Sequence, residues 1–187
     1  MAALLTGCSS PGPARGPMGR GPSGPGGTGM MGGGTGYHYR SAACAAPAAL
    51  PGSLVRVVLA DMGMNRVSGG TAPLGAPMML RAQPASVPVG RVSLVAANLG
   101  WRTHELVVLP LEGGASAGQR VPGPDGKVDE TGSLGEASRS CAAGAGDGIA
   151  SGAVGWTTLT LPRGRYELVC NLRNHYANRM YQELDVT

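Results

Sequence analysis

A stretch rich in Gly and Pro near the N-terminus limits how much of this chain can fold around a core. Between Pro11 and Gly36 lie 12 Gly and 5 Pro in 26 residues, without a periodic apolar pattern. Such a composition cannot bury enough apolar surface to offset the loss of chain entropy. We therefore expect a flexible tether over residues 9–50, followed by one folded domain over residues 51–187.

The net charge of +4 first suggests a protein that binds nucleic acid, but the positions of the charges argue against it. Residues 1–50 hold three Arg and no acid, whereas residues 51–187 hold 12 basic and 11 acidic side chains. A domain with this balance lacks the dense cationic face that neutralises phosphates. We expect no nucleic-acid partner.

The first ten residues, MAALLTGCSS, resemble the end of a bacterial lipoprotein signal peptide. The tetrapeptide Leu-Thr-Gly-Cys ending at Cys8 matches the motif whose Cys is lipidated. Residues 1–8 would then be a signal-peptide remnant with its true start codon upstream. The resemblance implies an extracytoplasmic protein held at the bacterial membrane only through lipidated Cys8. The alternative is an accidental run of small residues before a disordered tail.

From Pro51 onward, short apolar segments alternate with turn residues. Period-2 patterns predict strands at residues 54–60, 87–98, 103–109, 156–161, 166–170 and 180–186. Because no comparable segment has a helical period, the pattern favours an all-β antiparallel sandwich. Residues 111–154 are Gly/Ala-rich and too numerous for a hairpin loop, so they predict a long insert.

A metal-ligand spacing stands near the C-terminus. Cys170, His175 and Met180 occur as Cys-x4-His-x4-Met between two predicted strands. Thiolate, imidazole and thioether are soft or borderline donors, and a thioether selects copper over magnesium or calcium. His104, in a distant strand-like segment, can supply a second imidazole. Two His, one Cys and a weak axial Met are the ligands of blue-copper sites.

These ligand types, in this order, make the chain similar to the cupredoxin family and, within it, to rusticyanin and sulfocyanin-like proteins. The stretch Asn98-Leu-Gly100 before His104 resembles the Asn-x-Gly-like stretch of that family. The likeness covers roughly residues 52–187. It implies a Greek-key β-sandwich with one type 1 copper. Its equatorial ligands would be His104, Cys170 and His175, and its axial ligand Met180.

The residue after the first predicted ligand departs from the family pattern. Many cupredoxins have a small hydrogen-bonding residue there, whereas this chain has Glu105. Groups around the ligands tune a metal site, so the effect of Glu105 on the copper potential is left open.

The resemblance implies a monomeric one-electron carrier that serves redox partner proteins by outer-sphere transfer between Cu(II) and Cu(I). The alternative is a copper storage or delivery protein, which would release its metal readily. An oxidase or reductase needs further His-rich copper sites, so we expect no enzyme activity. Zinc is a weaker alternative because its structural sites prefer a fourth Cys or His over a thioether. Taken singly, each ligand also fits an ordinary core residue.

Two other cysteines, Cys44 and Cys141, lie outside the ligand loop. Export permits disulfides, so we predict that these two pair and tie the end of the tether to the insert. Two free thiols are the alternative, because sequence alone does not fix the geometry.

A ligand loop between two strands is expected to lie at the rounded end of the sandwich, with the ring edge of His175 facing solvent. Its neighbours would form an apolar surface for a short-lived redox encounter, flanked by positive charge that favours an acidic partner. The apolar neighbours are Leu172, Tyr176 and Ala177, and the positive charge comes from Arg173 and Arg179. The alternative is that both Arg are ordinary solvated loop residues.

Overall fold

Alternating apolar residues build two β-sheets that pack face to face. The structure, a computed structural model, describes residues 43–62 and 71–187. Cys8 and most of the predicted tether lie outside the described residues. Within those residues all regular elements are strands, which confirms the all-β fold class.

The strands, in chain order, are β1 (Ser53–Asp61), β2 (Met78–Gln83), β3 (Ser86–Val87), β4 (Gly90–Asn98), β5 (Leu106–Leu111), β6 (Gly135–Ala137), β7 (Val154–Leu161), β8 (Gly164–Val169) and β9 (Tyr181–Val186). The first sheet has the order β2-β1-β4-β7, and the second has the order β3-β9-β8-β5-β6. None of the described residues forms a helix long and apolar enough to cross a membrane.

Both sheets are mixed, whereas the sequence predicted antiparallel pairing throughout. β1 runs parallel to β4, with Val57 opposite Ala96, and β3 runs parallel to β9. The other ladders of the two sheets are antiparallel. Period-2 alternation identifies which residues face the core but carries no information on the direction of the neighbouring strand, so the sequence pattern could not reveal the parallel pairs.

The main core fills the space between the sheets. Every second residue of β1 and β4 points into it, as do the matching residues of β5, β8 and β9. Its largest fully buried apolar side chains include Leu59, Leu94, Leu106, Leu161, Leu168, Met180 and Leu184.

A second, smaller cluster lies on the outer face of the second sheet. Val107, Leu109 and Val169 point away from the main core, yet each is at most 1% exposed. Val128 of the insert and Tyr176 of the ligand loop pack against them. β5 and β8 are therefore buried on both faces, which explains the continuous apolar sequence of β5.

The strand predictions differ from the structure in four places. β2 and β6 were not predicted, and the predicted strand 87–98 is interrupted at Pro88, so that β3 and β4 belong to different sheets. The predicted strand 103–109 begins only at Leu106, because His104 forms an isolated bridge with Ile149 instead of joining β5.

The predicted disulfide between Cys44 and Cys141 is present. Beside it, the backbone N–H of Ala43 donates to Gly152 O at 2.6 Å, and the backbone N–H of Cys141 donates to Val154 O at 2.7 Å. The segment before β1 is thus attached to the insert at its junction with β7.

Candidate metal centre

Three donor atoms from two distant parts of the chain meet at one point between the sheets. Nδ1 of His104 lies 3.1 Å from Nδ1 of His175, and the Cys170 Sγ lies 3.8 Å and 3.2 Å from these two nitrogens. All three side chains are 0% exposed. Among the described residues, this is the one group of His, Cys and acidic side chains whose donor atoms converge as a metal site requires.

The triangle has the size that a metal ion needs. With bonds of about 2.0 Å to nitrogen and about 2.3 Å to sulfur at angles near 120°, the nitrogens would be about 3.5 Å apart and each about 3.7 Å from the sulfur. The observed separations of 3.1, 3.2 and 3.8 Å differ from these by about half an ångström or less. Two imidazoles, one thiol and a nearby thioether fit one type 1 copper.

Tight turns between β8 and β9 form the ligand loop, residues 170–180. The N–H of His175 donates to Leu172 O at 2.9 Å, and the N–H of Arg179 donates to Tyr176 O at 2.9 Å. Asn174 has φ 67°, a left-handed conformation that Asn tolerates better than most residues. This folding brings His175 back to Cys170, five residues earlier in the chain.

The main chain holds Met180 beside the other predicted ligands. Its N–H donates to His175 O at 3.2 Å, and its carbonyl accepts from the Cys170 N–H at 3.0 Å. The side chain is 0% exposed and packs in the same core cluster as Cys170. Met180 thus lies where the fourth ligand of the sequence prediction belongs, directly before β9.

The insert, residues 111–154, positions His104 through an isolated β-bridge to Ile149. The N–H of His104 donates to Ile149 O at 3.1 Å, and the carbonyl of His104 accepts from the Ile149 N–H at 2.6 Å. Ile149 is 0% exposed and belongs to the main core. The insert therefore supports a ligand, although sequence analysis gave it no part in the site.

Glu105 contributes its backbone to the site. Its N–H donates to the Cys170 Sγ at 3.2 Å, so this hydrogen bond does not depend on the side chain. The carboxyl group is buried, which raises the pKa of Glu105 to about 7, against the opposing effect of Lys127. Although Glu105 departs from the family pattern, its backbone N–H still supplies a hydrogen bond to the Cys170 sulfur.

Burial favours the neutral forms of Cys170 and His104. It raises the pKa of the Cys170 thiol far above its usual value, with the Glu105 carboxylate adding to the effect. Burial also lowers the pKa of His104, although Asp61 acts in the opposite direction. Since a metal binds the thiolate, loading the site requires the loss of the thiol proton.

Asp61, at the end of β1, is a residue of the site that sequence reasoning missed. Its Oδ1 lies 3.0 Å from His104 Nε2, and the side chain is 1% exposed. Burial raises the pKa of Asp61, but hydrogen bonds from His104 and Arg102 outweigh this effect and leave the pKa below its usual value. An acid that ends the apolar run Val57–Ala60 was the available signal.

The expectation that the ring edge of His175 faces solvent is wrong. His175 is 0% exposed, and Tyr176 is only 3% exposed because its hydroxyl donates inward to Glu167 Oε1 at 2.8 Å. The segment before β2 lies across the ligand loop. Asn178 Nδ2 donates to Pro73 O at 2.8 Å, and the Gly75 N–H donates to Asn178 Oδ1 at 2.7 Å.

Comparisons with known proteins find distant structural likenesses. No protein-family model and no curated protein matches the chain. Reduced auracyanin from the photosynthetic bacterium Roseiflexus castenholzii is 16% identical, with 74% of this chain and 99% of that chain covered and a TM-score of 0.43. Rusticyanin from Thiobacillus ferrooxidans is 20% identical, with 73% and 79% covered and a TM-score of 0.40. The assignment of a metal centre therefore depends on the donor atoms of this chain, His104, Cys170 and His175, and not on these likenesses.

Proposed function

We propose that this chain, whose sandwich and donor set resemble those of cupredoxins, is a type 1 copper protein that carries single electrons by outer-sphere transfer. The observation that carries the proposal is the buried triangle of His104, Cys170 and His175 beside Met180. Copper bound there would supply the Cu(II)/Cu(I) couple. The protein residues hold the donors in place and exclude water, which favours electron exchange over binding of a substrate.

Colour tests the ligand assignment directly. Copper-loaded wild-type protein should show the intense thiolate-to-copper absorption, and Cys170→Ser should lose it because the thiolate is its source. A matched control replaces Cys44 and Cys141 together by Ser, which leaves Cys170 as the buried thiol and should retain the colour. An intensely blue Cys170→Ser protein would contradict the assignment.

Storage or delivery is the second candidate, and metal exchange separates it from electron transfer. All predicted ligands are 0% exposed, so release of copper requires the loop or a sheet end to open. A carrier should keep its copper through repeated reduction and oxidation in the presence of a competing chelator. Loss of copper at each reduction, followed by stopped-flow absorbance, would instead favour delivery.

The proposed location is extracytoplasmic. The disulfide between Cys44 and Cys141 indicates an oxidising compartment. We further propose attachment to the membrane through lipidated Cys8, for which the lipobox-like sequence is the support. Expressed with a complete signal peptide, wild-type protein should fractionate with membranes and Cys8→Ala should not. Equal partitioning of the two would exclude the anchor.

For the redox partner we propose a protein with an acidic docking face, bound at the end of the sandwich above the ligand loop. Leu74, 72% exposed, and Ala177 offer small apolar contacts there. Arg173 and Arg179 are exposed on the same loop and would speed encounter with an acidic surface. Replacing both Arg by Glu should slow electron transfer to an acidic partner at low salt and leave the absorption spectrum unchanged. Equal rates would contradict this docking face.

A further inference from the structure

The carboxylate of Asp61 accepts hydrogen bonds from His104 and from the backbone just before it. One oxygen, Oδ1, accepts three hydrogen bonds: from His104 Nε2 at 3.0 Å, from the Trp101 N–H at 2.8 Å and from the Arg102 N–H at 3.0 Å. The side chain is 1% exposed. A buried carboxylate with this set of donors has a fixed position and a fixed orientation toward the imidazole.

The turn after β4 has a shape that depends on this carboxylate. A Cβ atom on Gly100 would lie 2.7 Å from the Asp61 backbone nitrogen and in contact with its Oδ1, so only glycine permits the approach. Arg102 balances the buried charge, with its Nε 3.8 Å from Asp61 Oδ2 and its Nη1 bonded to Thr71 O at 2.9 Å. The turn and the end of β1 thus enclose the charge together.

A carboxylate can only accept a hydrogen bond here, so His104 must donate from Nε2. The ring proton of the neutral imidazole is then on Nε2, and Nδ1 keeps its lone pair. That lone pair points toward Cys170 Sγ and His175 Nδ1, at 3.8 and 3.1 Å. The hydrogen bond therefore selects the ring nitrogen that is available to a metal.

We propose that Asp61 is a positioning residue that fixes the Nε2–H tautomer of His104 and strengthens its Nδ1 as a donor for Cu(II) more than for Cu(I). The second part rests on the proposed function. A carboxylate behind an imidazole raises its basicity, and the more highly charged oxidation state gains more from this. Asp61 would then lower the potential of the copper site.

A purely structural role for Asp61, as the acceptor that caps the 99–102 turn, makes different predictions. Asp61→Asn keeps a carbonyl oxygen for the backbone donors and removes the negative charge. If Asp61 served the turn alone, this variant would bind both oxidation states as the wild type does. Asp61→Ala removes the acceptor as well, and comparison of the two separates charge from hydrogen bonding.

The first measurement uses copper-free protein. Nitrogen-15 NMR of the imidazoles should show His104 as the Nε2–H tautomer in wild type and in Asp61→Asn, whose carbonyl oxygen still accepts from Nε2–H, and as a tautomer mixture in Asp61→Ala. The matched control is Glu167→Gln, which neutralises another carboxylate that is 0% exposed but does not contact His104. An unchanged His104 signature in Asp61→Ala would overturn the positioning role.

The second measurement titrates Cu(II) and Cu(I) separately against competing chelators. Substitution of the partner behind a metal-bound imidazole costs about 10- to 100-fold in affinity, and we expect a loss of this size for Cu(II) in Asp61→Asn, which removes the negative charge. If the Cu(I) affinity falls at least tenfold less, the potential rises by about 59 mV or more. Equal losses for both ions would refute the electronic part. If wild-type protein gave no thiolate-to-copper band, the proposed function would fail, and the NMR measurement would still decide the positioning role.

Discussion

Glu167 provides a strong test of how the insert is attached to the copper domain. Its carboxylate is 0% exposed on the outer face of β8. Oε1 accepts from the Tyr176 hydroxyl at 2.8 Å and from the Gly118 N–H at 2.6 Å, while Oε2 accepts from Arg120 Nε at 2.7 Å. Through these bonds one side chain joins the insert, the sheet and the residue that follows His175.

Replacing Glu167 by Ala should lower the free energy of unfolding by about 3 kcal/mol, the low end of the cost of breaking a buried ion pair. The low end applies because Arg120 is 26% exposed and can turn toward water. For a domain of this size, that loss corresponds to roughly 6–12 °C in melting temperature. Tyr176→Phe should cost less, about 1–2 kcal/mol, since it removes one hydroxyl.

Urea unfolding of copper-free protein measures both losses and, with the double variant, their coupling. Because the two groups share a hydrogen bond, the double variant should lose about 1 kcal/mol less than the sum of the single variants. The colour of copper-loaded Glu167→Ala should persist, since its ligands are intact. A loss of stability below about 0.5 kcal/mol, the size typical of an unremarkable surface substitution, would refute the reasoning.

Three further changes test other parts of the structure. Replacing Cys44 and Cys141 by Ser opens a loop with a sequence separation of 97, which should lower the free energy of unfolding by up to about 4.7 kcal/mol in denaturant titration while the colour stays. Met180→Leu should raise the potential in voltammetry and keep the thiolate band, because the axial bond is long and weak; loss of the band would contradict an axial role. Gly100→Ala should weaken Cu(II) binding and lower the melting temperature, since its Cβ would lie 2.7 Å from the Asp61 nitrogen; wild-type values of both would contradict the close packing described for this turn.

The ligand loop was predictable because its signal is local. Cys170, His175 and Met180 stand at fixed spacing between two period-2 segments, and the loop folds within itself. Predicting His104 as a ligand required the order of ligands in the cupredoxin family, because 66 residues separate it from Cys170 and no local spacing connects the two. Its donor atom nevertheless meets the others, as the sequence suggested.

What the sequence did not reveal depends on contacts between distant segments. Asp61 contacts His104 across 43 residues, and an acid at the end of a strand carries no mark of its partner. The cover over His175 depends on Asn178, whose partner Gly75 is 103 residues away. The parallel pairing of β1 with β4 was not predicted for the same reason: the alternation of apolar residues shows which side of a strand is buried but not the direction of the neighbouring strand.

The place of β9 in the second sheet has a consequence for synthesis. β9 lies between β3 and β8, and Met180 directly precedes it. A chain emerging from a ribosome or a translocation pore exposes His104 long before β9 has left the exit. Until residues through Val186 are free to pair, β8 lacks one neighbour and the ligand loop has no second anchor. We therefore expect the four predicted ligands to come together only after β9 has paired with β8.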